Sequence, residues 1–578
     1  MSAPMIGIDL GTTNSLIAYL DGGVPKLIPN SVGEYLTPSC VSMSENGEIL
    51  VGAAAREHLI VRPDHSAAMF KRYMGTNREY KLGSRKFRPE ELSALVLKSL
   101  IADAVAHFGH PIESVVVTVP AYFNDKQRKA TRVAGELAGL RIGRLLNEPT
   151  AAALSFQLHQ SQSESKFVVC DLGGGTFDVS ILELFEGLIE VRATTGDNFL
   201  GGEDFSEALI DAFMAQVGQQ AGVELKDKSG DAYQILKRQA DKAKHALSEG
   251  SKAEMSLPWR GVTLTWPVER EAFETICGGL LQRLRQPLAR ALRDSGLNAD
   301  DIDEVVLAGG ATRMPIVKQV ISRMFGRIAR ASRNPDHVIA EGAAVMAGLL
   351  AEHVSLKEVV MTDVCPYTLG TSVAVSTGNS QYEYDVFSPI INRNTIVPTS
   401  RSQSYYTIQD NQKTVTFPIY QGESRNAKHN TLLGELTIPV PPKPKGEVEV
   451  ECRFTYDADG LLEVDALVVG TNASRQITIL SQDTGLTPQE IALRRDRLQA
   501  LKIHPRDEAE NISALARAER LYEECIGESR EFVGNAIHRF KSLLDKQDLS
   551  LIREERIQFV EFLDQMEGYS AFPDGPLS

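Results

Sequence analysis

Two short runs of this 578-residue chain set a carboxylate beside glycines and hydroxyls at the end of an apolar stretch: Ile6-Gly-Ile-Asp9-Leu-Gly11-Thr12-Thr13 and Val168-Val-Cys-Asp171-Leu-Gly173-Gly174-Gly175-Thr176. In each, a buried strand would end at the aspartate and turn through glycines, whose missing side chains let backbone N–H groups approach an anion. The threonines add hydroxyl donors. Two carboxylates beside a polyphosphate repel it unless a divalent cation lies between them, so Asp9 and Asp171 imply Mg2+ and make a nucleotide the natural ligand. A single Asp-x-Gly is common turn chemistry. The repetition is what points to a site, and to two similar halves. A third element, Val305-Val-Leu-Ala-Gly309-Gly310-Ala-Thr312-Arg313, follows an apolar strand and opens a helix. Its N–H groups could receive phosphate or ribose, or simply form a tight strand-to-helix turn. There is no glycine-lysine phosphate loop of the P-loop type.

The elements that must position these residues divide the chain. At 578 residues, with 43% hydrophobic and 24% charged residues, the chain is a multidomain globular protein. Residues 1–354 alternate apolar strand-like runs with longer helical stretches, the signature of α/β layering. A short segment, 355–365, is the best linker candidate. From 366 to 484 period-two alternation dominates, as in Thr414-Val-Thr-Phe-Pro-Ile-Tyr and Glu447-Val-Glu-Val-Glu-Cys-Arg-Phe, with a turn signal at Asp457-Ala-Asp-Gly460. An all-β sandwich is the economical reading. Residues 485–578 open with Thr487-Pro-Gln-Glu490, a hydroxyl cap with Pro at the first helical position and Glu three residues after the cap, and read as helix to the end. Ile552, Phe559, Leu563 and Met566 keep helical spacing there, as in a small bundle or lid.

Net charge bounds the partners. A formal charge of -15 argues against a general nucleic-acid or anionic-membrane binder. The six cysteines are scattered singly without zinc spacing and read as reduced core residues. No leader-like start and no ~20-residue apolar span is visible, so a cytoplasmic location is expected.

Taken together, the three glycine elements resemble the phosphate-1, phosphate-2 and adenosine motifs of the actin, hexokinase and DnaK superfamily. Val119-Pro-Ala-Tyr-Phe-Asn-Asp125, Asn147-Glu148-Pro-Thr-Ala-Ala-Ala153, Gly196-Asp-Asn-Phe-Leu-Gly201-Gly202-Glu-Asp204 and Asn334-Pro-Asp336 narrow the resemblance to the DnaK (70-kDa heat-shock protein) chaperones. It continues through Asp410-Asn411, Tyr420-Gln-Gly-Glu423 and Asp457-Ala-Asp-Gly-Leu-Leu-Glu-Val464, over nearly the whole chain. The short C-terminus and altered linker resemble the bacterial HscC branch.

The resemblance implies an actin-like two-lobed ATPase, a β-sandwich that holds extended apolar peptide segments, and a shortened α-helical lid. It implies ATP or ADP with Mg2+ and K+ as cofactors, and unfolded client polypeptides and a J-domain co-chaperone as partners. By the same token Asp9, Gly11, Thr12, Thr13, Asn14, Gly173, Gly174, Gly175, Thr176 and Asp178 would surround the phosphates, with Gly201 and Gly202 behind them. Lys71 matches the catalytic lysine, and Glu148 and Asp171 the carboxylates that position water and the Mg2+ shell. Asp241, Lys244 and Ser248 match the adenosine clamp, with Gly309, Gly310, Arg313 and Asp336 at the base; Asp241 stands where the family usually has Glu. Pro120, Arg128 and Asp363 match the relay to the outer domain. Thr371, Val373, Ala374, Tyr405, Ile408, Val415 and Phe417 match the peptide arch and pocket, although alternating apolar residues also simply make sandwich core. Thr362 interrupts a linker run that is leucine-rich in the family, so weaker linker docking is expected. The stretches after Lys71 and between Ser248 and Val268 are shorter than usual, which leaves a nucleotide-exchange factor open. Two other readings compete: a nucleotide-binding scaffold that barely hydrolyses, and a small-molecule kinase that would leave residues 365–578 without a purpose.

Overall fold

The computed structural model describes residues 6–157, 164–185, 188–223, 225, 230–331, 334–351, 360–378, 381–457, 460–471, 473–479 and 505–570. The expected cap at Thr487–Glu490 and residues 355–359 of the expected linker lie outside them.

The repeated motif is repeated architecture. In the first lobe, strand Ile6–Asp9 pairs antiparallel with Asn14–Asp21, which pairs with Val24–Leu27. On its other side Ile6–Asp9 lies parallel to Ser114–Val119, followed by Arg141–Asn147. The second lobe repeats this order around Glu164–Leu172: Phe177–Phe185 and Leu188–Asp197 on one side, Glu304–Ala308 and Arg330–Ala331 on the other. Each motif aspartate therefore lies at the end of the strand where its sheet changes from antiparallel to parallel pairing, Asp9 as the last residue and Asp171 as the last but one. The strands are apolar on both faces because helices cover both, so Val168 and Cys170 on one face and Phe167 and Val169 on the other are all buried, in two different cores.

Helices Glu148–Gln157 and Val338–Leu350 cross between the sheets. Their backbones approach so closely that a Cβ at Gly342 would fall 1.7 Å from the carbonyl oxygen of Ala151, and one at Gly7 2.2 Å from the nitrogen of Ala344. Only glycine fits at such crossings.

Strand Val360–Val364 carries the chain out of the second lobe. It extends that lobe's sheet, parallel to Leu188–Asp197 with Glu190 opposite Thr362, and on its other edge pairs with Ile396–Val397 of the sandwich. The part of the expected linker that is described is thus an added strand. Cys365 already belongs to the sandwich core, so the change of environment comes just before it.

The sandwich packs Gln381–Ile391, Leu369–Gly378, Thr414–Gln421 and Thr431–Pro439 against Thr399–Tyr406, Glu449–Tyr456, Leu462–Val468 and Ser474–Ile479. Inward residues such as Phe417, Ile438, Val450, Phe454 and Val464 alternate with exposed ones, as the period-two pattern requires. Helices Ala509–Glu524, Gly527–Lys546 and Leu549–Ser570 form a separate bundle. Its core includes Leu521, Phe540, Ile552, Phe559 and Leu563, with Phe540 and Phe559 stacked at 4.5 Å between ring centres. Among the described residues no helix is long and apolar enough to cross a membrane.

Candidate nucleotide site and its connection to the sandwich

Between the lobes lies a cavity of about 990 Å3 lined from both sides by the residues of the glycine elements. The first turn is held in shape by its hydroxyls: Ser15 Oγ accepts from the N–H of Gly11 at 3.2 Å, and Ser39 Oγ donates to the Gly11 carbonyl at 2.7 Å. The second turn faces it directly, since a Cβ at Gly174 would lie 1.7 Å from Thr13 Oγ1 and one at Gly175 2.6 Å from the Thr12 methyl. Gly201 and Gly202 brace that turn from behind, the Gly202 N–H donating to Gly173 O at 2.9 Å. Arg72 ties the two lobes together through Gly175 O at 2.8 Å and the carboxylate of Asp204. Arg72 carries no local sequence signal, because nothing in Lys71-Arg72 distinguishes it from a surface arginine.

At the floor of the cleft, Lys71 Nζ donates to Glu148 Oε1 at 2.6 Å, both side chains all but inaccessible. Asp9 accepts from Thr118 Oγ1 at 3.0 Å, and Asp178 Oδ1 accepts from the backbone of Tyr122 at 3.0 Å. Asp178 Oδ2 is buried with no hydrogen-bond partner among the described residues. Burial, reinforced by Glu148, pushes the carboxyls of Asp9 and Asp178 up to about 7 and that of Asp171 well above the carboxylate range. Among the described residues Asp9, Asp171, Asp178 and Glu148 thus gather around Lys71, with Arg128 adding positive charge at Asp178, and burial together with mutual repulsion outweighs these cations at the three aspartates. That imbalance and the orphaned Asp178 oxygen fit Mg2+ carried in with a polyphosphate. Among the described residues no three His, Cys, Asp or Glu side chains converge to hold a metal directly.

The third glycine element closes the far side. Gly309 adopts a left-handed φ of 77° where a Cβ would strike Asp171 Oδ1 and Leu172 O, and Gly310 abuts Asp336. Arg313 pairs with Asp336 at 2.6 Å and bonds Asn334 at 3.0 Å, half exposed at the rim. On the facing helix Asp231–Glu249, Asp241 accepts from Ser206 Oγ at 2.6 Å and from Lys244 Nζ at 3.0 Å, while Lys244 also reaches Gly202 O at 3.0 Å. Ser248 donates to its own helix, at Lys244 O. Asp241, Lys244, Ser248, Arg313 and Asp336 all line the cavity, as do Asn14 and Thr176.

A chain of hydrogen bonds leaves the cleft toward the linker. Arg128 donates to Asn147 Oδ1 at 2.6 Å, and Asn147, next to Glu148, donates to Asp363 Oδ2 at 2.7 Å. Pro120 starts the loop whose Tyr122 holds Asp178; the Tyr122 ring also packs, tilted by 33°, against that of Tyr367 of the sandwich at 4.3 Å between centres, and its carbonyl accepts from the Tyr367 hydroxyl at 2.8 Å. Arg393 grips Asp294 with two bonds of 2.7 and 2.9 Å and Glu423 with one of 2.8 Å. Asn394 accepts from the Thr194 N–H at 2.9 Å. Asn147, Tyr122, Asp294 and Arg393 were not among the sequence candidates; each acts across a boundary that linear spacing does not cross.

Of the expected peptide-contact residues, Thr371 is fully buried with its hydroxyl on Pro418 O, and Phe417 sits in the sandwich core against the Tyr405 ring. Tyr405 turns its hydroxyl to Ser388. Val373, Ala374, Ile408 and Val415 are half-buried.

Two similar lobes around a cleft, joined by an added strand to a β-sandwich and a helical bundle, define a class: a two-lobed nucleotide-binding architecture carrying a second module. Comparison with known proteins makes it specific. The family described as Hsp70 protein matches residues 5–556. The Chaperone protein DnaK of Thermotoga petrophila is 41% identical over 486 residues, which cover 82% of this chain and 80% of that one. The chain belongs to the Hsp70 family, and is an ATP-dependent chaperone that hydrolyses ATP and binds client polypeptides.

Proposed function

We propose that residues 1–354 form the ATPase, 355–365 the coupling segment, 366–484 the peptide-binding sandwich and 485–578 the lid, and that hydrolysis in the cleft controls the sandwich through Asn147 and Asp363. The observation that carries this is the continuous path from the buried Lys71–Glu148 pair, through the adjacent Asn147, to the linker carboxylate at 2.7 Å.

In this reading the turns at Gly11–Asn14 and Gly173–Thr176 hold the β- and γ-phosphates with backbone N–H groups and hydroxyls. Glu148 orients the attacking water, and Lys71 holds that carboxylate in place while facing the charge that develops on the transferred phosphoryl group. Mg2+, near Asp9 and Asp171, would neutralise phosphate charge, and K+ would add to it. Arg313, Lys244 and Ser248 bound the adenosine end. Asp241, already engaged by Ser206 and Lys244, serves to position Lys244. Extended apolar segments enter at Val373, Ala374, Ile408 and Val415, with Tyr405, Thr371 and Phe417 forming the wall beneath. A J-domain co-chaperone stimulates the cycle, in the cytoplasm. Because binding couplings are reciprocal, peptide must affect the ATPase as ATP affects peptide.

The test is Lys71→Ala with Asn147→Ala beside it. Lys71→Ala should abolish hydrolysis, whereas Asn147→Ala should retain basal hydrolysis and lose its stimulation by peptide. An unchanged basal rate in Lys71→Ala would remove the catalytic assignment.

A further inference from the structure

The helical bundle touches the sandwich at one unusual place. Gln547, in the turn between Gly527–Lys546 and Leu549–Ser570, is 8% exposed, and its side-chain amide meets a backbone rather than a side chain. Its Oε1 accepts from the N–H of Ser402 at 3.1 Å and its Nε2 donates to the carbonyl of the same residue at 3.0 Å. A primary amide offering one donor and one acceptor in this way reproduces what a neighbouring strand offers a residue across a ladder.

Ser402 lies in Thr399–Tyr406, an edge strand of its sheet. The partner strand Glu449–Tyr456 takes one side, and Thr407 just beyond still bonds inward, to Val448 O at 3.1 Å. Alternation along the strand turns the backbone groups of Ser400, Ser402, Ser404 and Tyr406 outward. This is the edge on which an added strand would pair.

Two further features accompany the contact. Gln547 sits at a left-handed φ of 55° after the helix end, where glycine is the locally better residue. Beside it, Arg401 Nη1 is buried without a hydrogen-bond partner among the described residues, with the Asp548 carboxylate supplying counter-charge. The contact exists while the linker strand is paired to the ATPase sheet.

We propose that the Gln547 turn is a one-residue strand mimic that brackets the helical bundle on the free edge of Thr399–Tyr406 in the linker-docked arrangement, and that it competes there with extended client polypeptide. The inference rests on the reading above that clients enter at Ile408 over the wall formed by Tyr405, Tyr405 lying farther along the same strand from Ser402 and Ile408 just past its end.

The test uses the full chain under saturating Mg-ATP, with Gln547→Gly as the variant. Glycine suits the left-handed turn, so the bundle keeps its fold while the amide is deleted. Amide hydrogen exchange should quicken at Ser402 by about tenfold or more, the loss expected for a pair of hydrogen bonds, with Gln403 unchanged. A fluorescent nine-residue Leu-rich extended peptide should bind several-fold more tightly to the variant. Unchanged or weakened peptide affinity overturns the competition. Exchange in wild type with saturating peptide separates the two readings. If the peptide fails to protect Ser404 and Tyr406, the groove assignment fails and takes the competition with it. If both are protected but Gln547→Gly leaves affinity unaltered, only the bracket is wrong.

Discussion

Thr362 interrupts the linker strand, and its hydroxyl oxygen is buried against the ATPase sheet with no hydrogen-bond partner among the described residues. When the strand leaves the sheet, that hydroxyl regains water. Docking therefore carries the desolvation cost of an unsatisfied hydroxyl, about 1–3 kcal/mol. Thr362→Val keeps the shape and removes the hydroxyl, so the docked state should gain that amount, which is roughly a 5- to 100-fold larger docking constant at about 1.4 kcal/mol per tenfold. Hydrogen exchange of the amides of Val360–Val364 under saturating Mg-ATP reads the opening of this strand directly. Protection should rise by that factor in Thr362→Val and stay near wild type in Thr362→Ser, which keeps the hydroxyl. Equal or lower protection in the valine variant would refute the idea that Thr362 weakens docking.

Replacing Lys71 by Met should lower single-turnover hydrolysis by about 10²–10³-fold, the scale of losing one preorganised charge donor, with nucleotide binding largely kept; a loss under tenfold would place Lys71 outside the chemistry. The raised carboxyls of Asp9 and Asp178 are protonated in the nucleotide-free fold at pH values where the unfolded chain has already released those protons. Stability of the nucleotide-free protein should therefore fall as pH rises from about 4 toward 7. Thermal unfolding should accordingly show a larger stabilisation by Mg-ADP at pH 8 than at pH 5.5, and Asp9→Asn should flatten the difference; the opposite trend would contradict it. Arg393→Ala removes a one-third-exposed clamp between sandwich and ATPase. Allowing for solvent screening, peptide release on adding ATP should weaken about three- to tenfold, measured as the ratio of peptide affinities with ADP and ATP.

Much of the cleft was legible because its chemistry is written in backbone requirements. Asp9 and Asp171 followed by glycines demanded strand ends and close turns, and the two sheets with matching strand order answer that demand. Lys71 was legible only through resemblance, since a lysine's partner 77 positions away in Glu148 leaves no local trace. The sandwich was readable as alternation, but period two does not say whether an apolar side chain faces the core or a groove. Thr371 and Phe417 prove to be interior, whereas Val373 and Val415 are half-buried. Contacts through a backbone were invisible: Gln547 recognises Ser402 by its N–H and C=O, which every residue but proline carries alike. Arg72, Asn147 and Arg393 escaped notice for a related reason, being polar residues whose burial is created by another lobe or domain.

The central claim is that the cleft and the sandwich work as one coupled machine through the docked linker. Single-turnover ATP hydrolysis by the purified chain, alone and with an extended apolar peptide and a J-domain protein, tests it most directly. Stimulation by either addition, lost in Asn147→Ala, is the predicted result. Hydrolysis that proceeds at the same rate in every mixture would contradict the coupling and leave an ATPase whose sandwich answers to something else.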